Sequence, residues 1–393
     1  MPGSGKVRYM SSDSSIAAVF SQRLDRVRAR LRATGADAVL LSVGPDLPWL
    51  IGYEAMPLER LTMLVVPVDD SPTLVIPAFE VPRVVARPDL FAIEGWGETD
   101  DPIDSVVAAL GRSSRAAGGA KLAVGDHTWS RFLVDLQRAL PGASWLRGAE
   151  VVAPLRAVKD AAEIAALQRA ADGVDRVAHA LRTGEIALIG RTEAEVSAEI
   201  SRRILAEGHA RVNFAIVASG ANAASPHHHA SDKVIRAGEV VLCDFGGKTA
   251  EPHGEPGYCS DITRCVYTGQ PPAEFQEAFD HLLDAQAMAC RAAVIGVTGA
   301  AVDEVARGRL AEAGLAKWFL HRLGHGIGVE EHEEPYLVQS NAEPLIAGNA
   351  FSIEPGFYID GKWGARIEDI LVATVDGPLA LNRVGHDLAV VGA

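Results

Sequence analysis

The sequence predicts two successive domains, an α/β domain followed by an α+β domain, and three observations carry that prediction. The chain has 393 residues, more than one hydrophobic core usually organises. Its first third alternates short β-rich runs with helical periodicity. Two helical stretches then precede a long region of mixed strands and helices.

The elements follow in order. Phe20, Leu24, Val27 and Leu31 recur at spacings of three and four within 16–31, and Gly35 follows as a stop, which predicts an amphipathic helix. The runs "DAVLLSV" (37–43), "TMLVVPV" (62–68) and "PTLVIPA" (72–78) read as strands, interleaved with helices near 102–111 and 128–139. Residues 15–150 therefore form the α/β domain. Around 141–158, "PGASWLRGAEVVAPLRAV" is a proline- and glycine-punctuated crossing without strong periodicity, and the domain boundary falls there. The second domain, 158–393, opens with a long helix ending at Gly184. A second helix follows, announced by the capping-box pattern Thr192-x-x-Glu195. Strands over 213–219, 238–245, 258–267, 350–359 and 366–374 and helices near 273–295 and 300–313 complete it.

The net charge of -14 argues against a nucleic-acid or anionic-membrane surface as main partner, since either would select a concentrated basic face. The opening "MPGSGKVRYMSSDSS" is polar and reads as a loose tail, and no run approaches the ~20 apolar residues of a membrane span. A cytoplasmic protein is expected. Only four cysteines occur, Cys243, Cys259, Cys265 and Cys290, without a CxxC pair, which fits a reducing compartment. Buried filler is their expected role, with a thiolate ligand as the alternative.

Chemistry concentrates in the second domain. "EVVLCDFGG" runs a buried strand into Asp244, a position open to a capping residue or to a ligand. "GYCSDITRCVYTG" alternates so that Cys259, Asp261, Thr263 and Cys265 share one face, and an aspartate inside a strand is disfavoured by propensity. "NAFSIEPGFYI" embeds Glu354 among apolar residues, where burial without a positive partner is costly. In "GARIEDILVAT", Arg366 and Glu368 share a face and Asp369 points away. Taken alone, that pair reads equally as a surface ion pair. "HRLGHGIGVEEHEEPYL" adds His325 and His332, seven apart, a spacing that fits no shared helix face. Four carboxylates from four β segments with one imidazole suit two hard or borderline divalent ions, whose charge would answer the cost of burying the acids.

The order Asp, Asp, His, Glu, Glu in "DFG", "SDITR", "HRLGHGIG", "SIEPG" and "RIED" resembles the dinuclear metallopeptidases of pita-bread fold, and most closely Xaa-Pro dipeptidase (prolidase) and Xaa-Pro aminopeptidase. The resemblance covers nearly the whole chain. Residues 15–150 resemble the creatinase-like α/β domain of these enzymes, and "PLRAVKDAAEIAALQRAA" resembles their passage into the catalytic domain. It implies that Asp244, Asp261, His325, Glu354 and Glu368 hold two divalent ions, Mn²⁺ first with Co²⁺ or Zn²⁺ as alternatives, Asp261 and Glu368 bridging them. It further implies cleavage of the bond before proline in Xaa-Pro dipeptides or short peptides by a hydroxide bridging the two ions, with Glu354 as proton carrier. "SGANAASPHHHASDK" resembles the family's stretch whose histidine after proline lines the substrate site, here His227, leaving His228 and His229 as loop residues. His227 and His332 become the expected hydrogen-bond donors to substrate, and His325 the ligand. Thr263 is expected to orient Asp261, and Arg366 to orient Glu368. A homodimer is implied as well.

Two departures stand out. The step from Asp244 to Asp261 is wider than is usual in the family, so "KTAEPHGEPGYC", with His253, reads as a hairpin insertion. Tyr336 occupies the place after "HEEP" where dipeptide-restricted members carry an arginine for the substrate carboxylate. Two other readings share the fold: an amidohydrolase or lyase acting on a small osmolyte-type substrate, and a non-catalytic binding protein.

Overall fold

The structure, a computed structural model, describes residues 13–111, 119–250 and 255–392. Residues 1–12 of the expected tail and His253 of the insertion lie outside the described residues, and the tail's last three residues, 13–15, open a helix instead. The chain forms two compact units, the first closing at Leu155 and the second opening at Arg156.

The first unit begins with α1 (Asp13–Thr34), whose Phe20, Leu24, Val27 and Leu31 are buried, as their spacing requires. Then come β1 (Ala38–Leu41), α2 (Asp46–Ile51), β2 (Met63–Pro67), β3 (Thr73–Pro77), β4 (Ala92–Trp96), α3 (Pro102–Gly111), β5 (Lys121–Val124), α4 (Ser130–Ala139), β6 (Ser144–Arg147) and α5 (Ala149–Arg156). The six strands make one mixed sheet in the order β4-β3-β2-β1-β5-β6. The aperiodic crossing expected at 141–158 is corrected: it contains β6 and α5. β6 is an edge strand without a fully buried residue and α5 is two turns long with Pro154 inside, so neither shows a readable period.

The second unit opens with α6 (Ala161–Arg182) and α7 (Glu193–Ala206). Each starts on a complete capping box, Asp160 with Glu163 and Thr192 with Glu195. β7 (His209–Ser219), β8 (Val240–Thr249) and β9 (Ile262–Thr268) follow, then α8 (Ala273–Ala292) and α9 (Gly299–Glu312). The rest is β: β10 (Gly324–Gly326), β11 (Glu333–Leu337), β12 (Ala350–Ile353), β13 (Gly356–Ile359), β14 (Trp363–Arg366), β15 (Asp369–Thr374), β16 (Gly377–Ala380) and β17 (Ala389–Val391). They assemble as β17-β9-β8-β7, β11-β10-β12-β15-β16 and the pair β13-β14. Val174, Leu181, Val196 and Ile200 of α6 and α7 pack on Val217, Val241, Phe245 and Val266 of the first sheet. On its other face Leu242 and Cys265 join a core with Phe275 and Leu282 of α8, Val302 of α9, and Phe351 and Leu371 of the second sheet. The helices thus leave β8 buried on both faces, with its acid Asp244 buried on the face of Leu242.

Three expected strands are broken where the acids fall. Asp261 precedes β9 rather than lying inside it. The run 350–359 is two strands of different sheets, split at Glu354-Pro355, since proline has no N–H to donate to a ladder. Glu368 lies between β14 and β15, its position fixed by an isolated bridge to Thr263.

Candidate metal centre

Five side chains of the second unit converge. Asp244 comes from β8, Asp261 from the lead into β9, His325 from β10, and Glu354 and Glu368 from the two breaks just described. Asp261, His325 and Glu368 are 4 %, 3 % and 2 % exposed, and one donor atom from each lies within 4.8 Å of the others. The His325 Nε2 is 3.3 Å from Glu354 Oε1 and 3.7 Å from Asp261 Oδ2. Its Nδ1 lies 3.0 Å from the Gly326 carbonyl. A carbonyl can only accept, so Nδ1 carries the hydrogen and Nε2 presents a lone pair to the acids. Desolvation and the neighbouring His332 hold His325 well below its usual pKa, so it is the neutral imidazole a metal requires. The His325 N–H donates to Ser352 Oγ, and that hydroxyl donates to Glu354 Oε1 at 3.1 Å.

The acids are crowded and incompletely partnered. Burial raises the Asp261 and Glu368 pKa values far above the carboxylate range, and neighbouring carboxylates raise them further. Burial likewise pushes Glu354 up to about 7, against the pull of Arg366. Asp244 Oδ1, Asp261 Oδ1 and Glu368 Oε1 are buried without a hydrogen-bond partner among the described residues. A buried oxygen left unpaired costs on the order of 1–3 kcal/mol, more when charged. Two of the three belong to residues of the Asp261–His325–Glu368 cluster, an arrangement that divalent cations resolve, and this donor set of carboxylate oxygens with one imidazole fits them.

Arg366 organises the acids, although not in the expected pairing. Its guanidinium pairs with Asp244 Oδ2, and it donates to Thr263 Oγ1 at 3.1 Å and to the Tyr358 hydroxyl at 2.7 Å. Alternation places Arg366 beside Glu368 and Thr263 beside Asp261. In the structure it is the Thr263 hydroxyl that reaches Glu368 Oε2, at 2.7 Å. The reason is register: β8 pairs with β9 so that Asp244 faces Thr263, and Arg366, bonded to the Thr263 hydroxyl, meets the carboxylate opposite it. Asp369, on the opposite face, pairs with Arg264. The reading of Arg366 and Glu368 as a surface pair is overturned, because both are buried.

A pocket of about 850 Å³ opens onto these groups, lined also by His227, His332, His321 and Arg322. His227 and His332 are exposed to it, and the His332 ring sits 4.1 Å from that of His325. Next to His332, Glu333 is clamped by the buried Arg156 and Lys159. Sequence reasoning missed three participants. His321 accepts from the Tyr358 hydroxyl at 2.8 Å, and burial lowers its pKa to about 3, so it stays neutral. The third is Glu193. This fully buried acid accepts from the Ser219 N–H and hydroxyl, Asn222, the His228 ring, and the Ser231 N–H and hydroxyl, and so ties down the loop bearing His227. His228 is accordingly an anchor of that loop, and His229 has no such contact among the described residues. Cys243, Cys259 and Cys265 are free and buried, burial raises the Cys259 thiol to about 12 and the Cys265 thiol to about 11, and no cysteine belongs to the donor cluster found among the described residues.

Comparison with known proteins identifies the family. Residues 164–375 match the model of Metallopeptidase family M24, and residues 23–158 match the Creatinase/Prolidase N-terminal domain. A probable dipeptidase PepE of Mycobacterium bovis is 42% identical over 385 residues, 97% of this chain and 99% of that protein. The crystal structure of dipeptidase PepE from Mycobacterium ulcerans superposes with a TM-score of 0.88 at 42% identity, over 95% of this chain and 98% of that one. A prolidase from Thermococcus sibiricus gives 0.86 at 31% identity, over 94% and 98%. The chain belongs to metallopeptidase family M24, a peptidase with a creatinase/prolidase N-terminal domain followed by an M24 catalytic domain of pita-bread fold.

Proposed function

We propose that the protein is a metal-dependent Xaa-Pro peptidase, hydrolysing the bond before proline in dipeptides or short peptides. The observation that carries the reading is the cluster of Asp261, Glu368 and the bare Nε2 of His325, with unpartnered buried oxygens on both acids, lining a pocket together with His227 and His332. Similarity to a solved prolidase supports the proline preference. Asp244, Asp261, His325, Glu354 and Glu368 would hold two divalent ions, Mn²⁺ first. When bound, these supply Lewis-acid polarisation of the scissile carbonyl and a water acidic enough to react near neutral pH.

The chain's own groups do the rest. Glu354, oriented by the Ser352 hydroxyl, accepts the proton of the attacking water and passes it to the leaving proline nitrogen. His227 and His332, facing the pocket, donate hydrogen bonds to the carbonyl oxygen and the substrate backbone, each worth roughly 10²–10³ in rate when well aimed. Arg366 holds Asp244 and Thr263 holds Glu368, so neither carboxylate can turn away from the centre. A homodimer in the cytoplasm completes the proposal. The free cysteines support that compartment, and no described helix is long and apolar enough to cross a membrane.

The test is apoprotein reloaded with Mn²⁺, Co²⁺ or Zn²⁺ and assayed on Xaa-Pro dipeptides, Xaa-Pro tripeptides and a non-proline control. Proline-dependent cleavage with at least one metal is expected, and its absence under all three overturns the proposal.

A further inference from the structure

Carboxylates, histidines and two arginines line the pocket. Asp244, Asp261, Glu331, Glu354 and Glu368 all line it, and a dipeptide brings a further free carboxylate within a few bonds of its scissile carbonyl. The metal-holding acids are balanced by their ions, and the substrate's terminus, leaving water for the pocket, needs a cationic partner of its own. Arg366 is unsuited, because its guanidinium is already committed to Asp244, Thr263 and Tyr358.

Arg322 differs in each respect that matters. It lines the pocket, it is half-buried, and its guanidinium makes no hydrogen bond or ion pair with any described residue. The pairing of Gly324 with Leu337 brings the flanks of β10 and β11 side by side, and the Arg322 guanidinium lies over the Tyr336 ring, 4.5 Å from its centroid. Stacking on an aromatic face holds a guanidinium still while leaving its N–H edge free, and that edge matches a carboxylate in a two-point contact.

We propose that Arg322, backed by Tyr336, is the specificity residue that binds the free C-terminal carboxylate of a dipeptide substrate. The inference rests on the peptidase reading above and names its substrate class. It also gives Tyr336 a purpose: the aromatic ring is the platform for an arginine supplied by the neighbouring segment.

The experiment compares wild-type protein with Arg322→Met, which keeps the stem on Tyr336 but not the charge, and Arg322→Lys, using Ala-Pro as free acid and as C-terminal amide. Wild type should prefer the acid. In Arg322→Met, the acid's KM should rise about 30-fold with kcat little changed, while the amide changes by less than about 3-fold. Arg322→Lys should retain part of the preference. A parallel loss on acid and amide, or a wild type indifferent to the amide, overturns the assignment. The same pair made with Ala-Ala separates the two ideas. Equal cleavage of Ala-Ala and Ala-Pro removes the proline reading, yet the acid-to-amide ratio still decides Arg322. If neither peptide is cleaved, calorimetric binding of acid and amide to Mn²⁺-loaded protein supplies that ratio.

Discussion

Glu193→Gln is the perturbation whose size the structure fixes best. Each carboxylate oxygen of Glu193 accepts from a backbone N–H that cannot be turned around, Ser219 on Oε1 and Ser231 on Oε2. The serine hydroxyls can reverse to accept from an amide, but whichever end carries the new NH₂ group faces one of those two N–H donors. One buried donor is thus orphaned, and the charge-assisted bonds from Asn222 and His228 become neutral ones, for a total of about 3 kcal/mol. The pKa agrees, because the donors outweigh burial and hold Glu193 at about 2 against 4.5 for a free glutamate. That displacement is worth about 3 kcal/mol. The sign follows from the depressed value: the stabilisation is fully present above pH 4.5 and vanishes as pH falls towards 2. Urea denaturation at pH 7 should therefore show Glu193→Gln less stable by about 3 kcal/mol, or roughly 6–12 °C lower in Tm. The gap should shrink at acid pH. Because His228 and Ser231 anchor the loop bearing His227, kcat should also fall while metal content holds. A variant as stable as wild type, or a gap that stays the same from neutral pH down to the acid edge, would refute the reasoning.

The metal centre yields the other predictions. Glu354→Gln should lower kcat about 10³-fold by removing the proton carrier, read in steady-state assays alongside metal analysis. His332→Ala should reduce activity by about 10² and retain both ions; loss of metal from this variant would mean that His332 is a ligand. Thr263→Val leaves Glu368 Oε2 without its hydroxyl donor and should weaken metal affinity by about 10–100-fold, measured by chelator competition. Chelation should lower Tm most at neutral pH. Asp261, Glu354 and Glu368 have raised pKa values in the metal-free fold, so their repulsion is relieved as they take up protons. The gap between metal-loaded and stripped Tm should narrow from pH 7 to pH 5.

What the sequence makes legible here is what is anomalous in it. Acids in apolar runs mark the candidate ligands at 244, 261, 354 and 368, because burial of each demands a reason, whereas β4 and β6 pass unnoticed because exposed edge strands carry no apolar signal. Partners are a different matter. That Arg366 pairs with Asp244 and Thr263 with Glu368 depends on the β8 to β9 register and on a bridge between residues 105 positions apart, and neither is written in any local window. Glu193 hides for a related reason, since an acid in the first turn of a helix looks like an ordinary complement to the dipole until the 219–231 loop folds over it.

The two histidines of "HRLGHGIGVEEHEEPYL" show the same division. A spacing of seven is meaningless on a helix, but β10 and β11 are an antiparallel pair in which Gly326 faces Glu333. The turn between them carries the histidine before each partner to within ring contact, 4.1 Å between centroids. Their burial then separates their chemistry. His325 is buried against Asp261 and Glu354 with its Nδ1 hydrogen on a carbonyl, while His332 stands exposed in the pocket, free to meet a substrate. One hairpin thus presents a ligand and a donor side by side. The same pairing sets Arg322 over Tyr336, so the segment that reaches the metals also carries the charge to hold a substrate's far end.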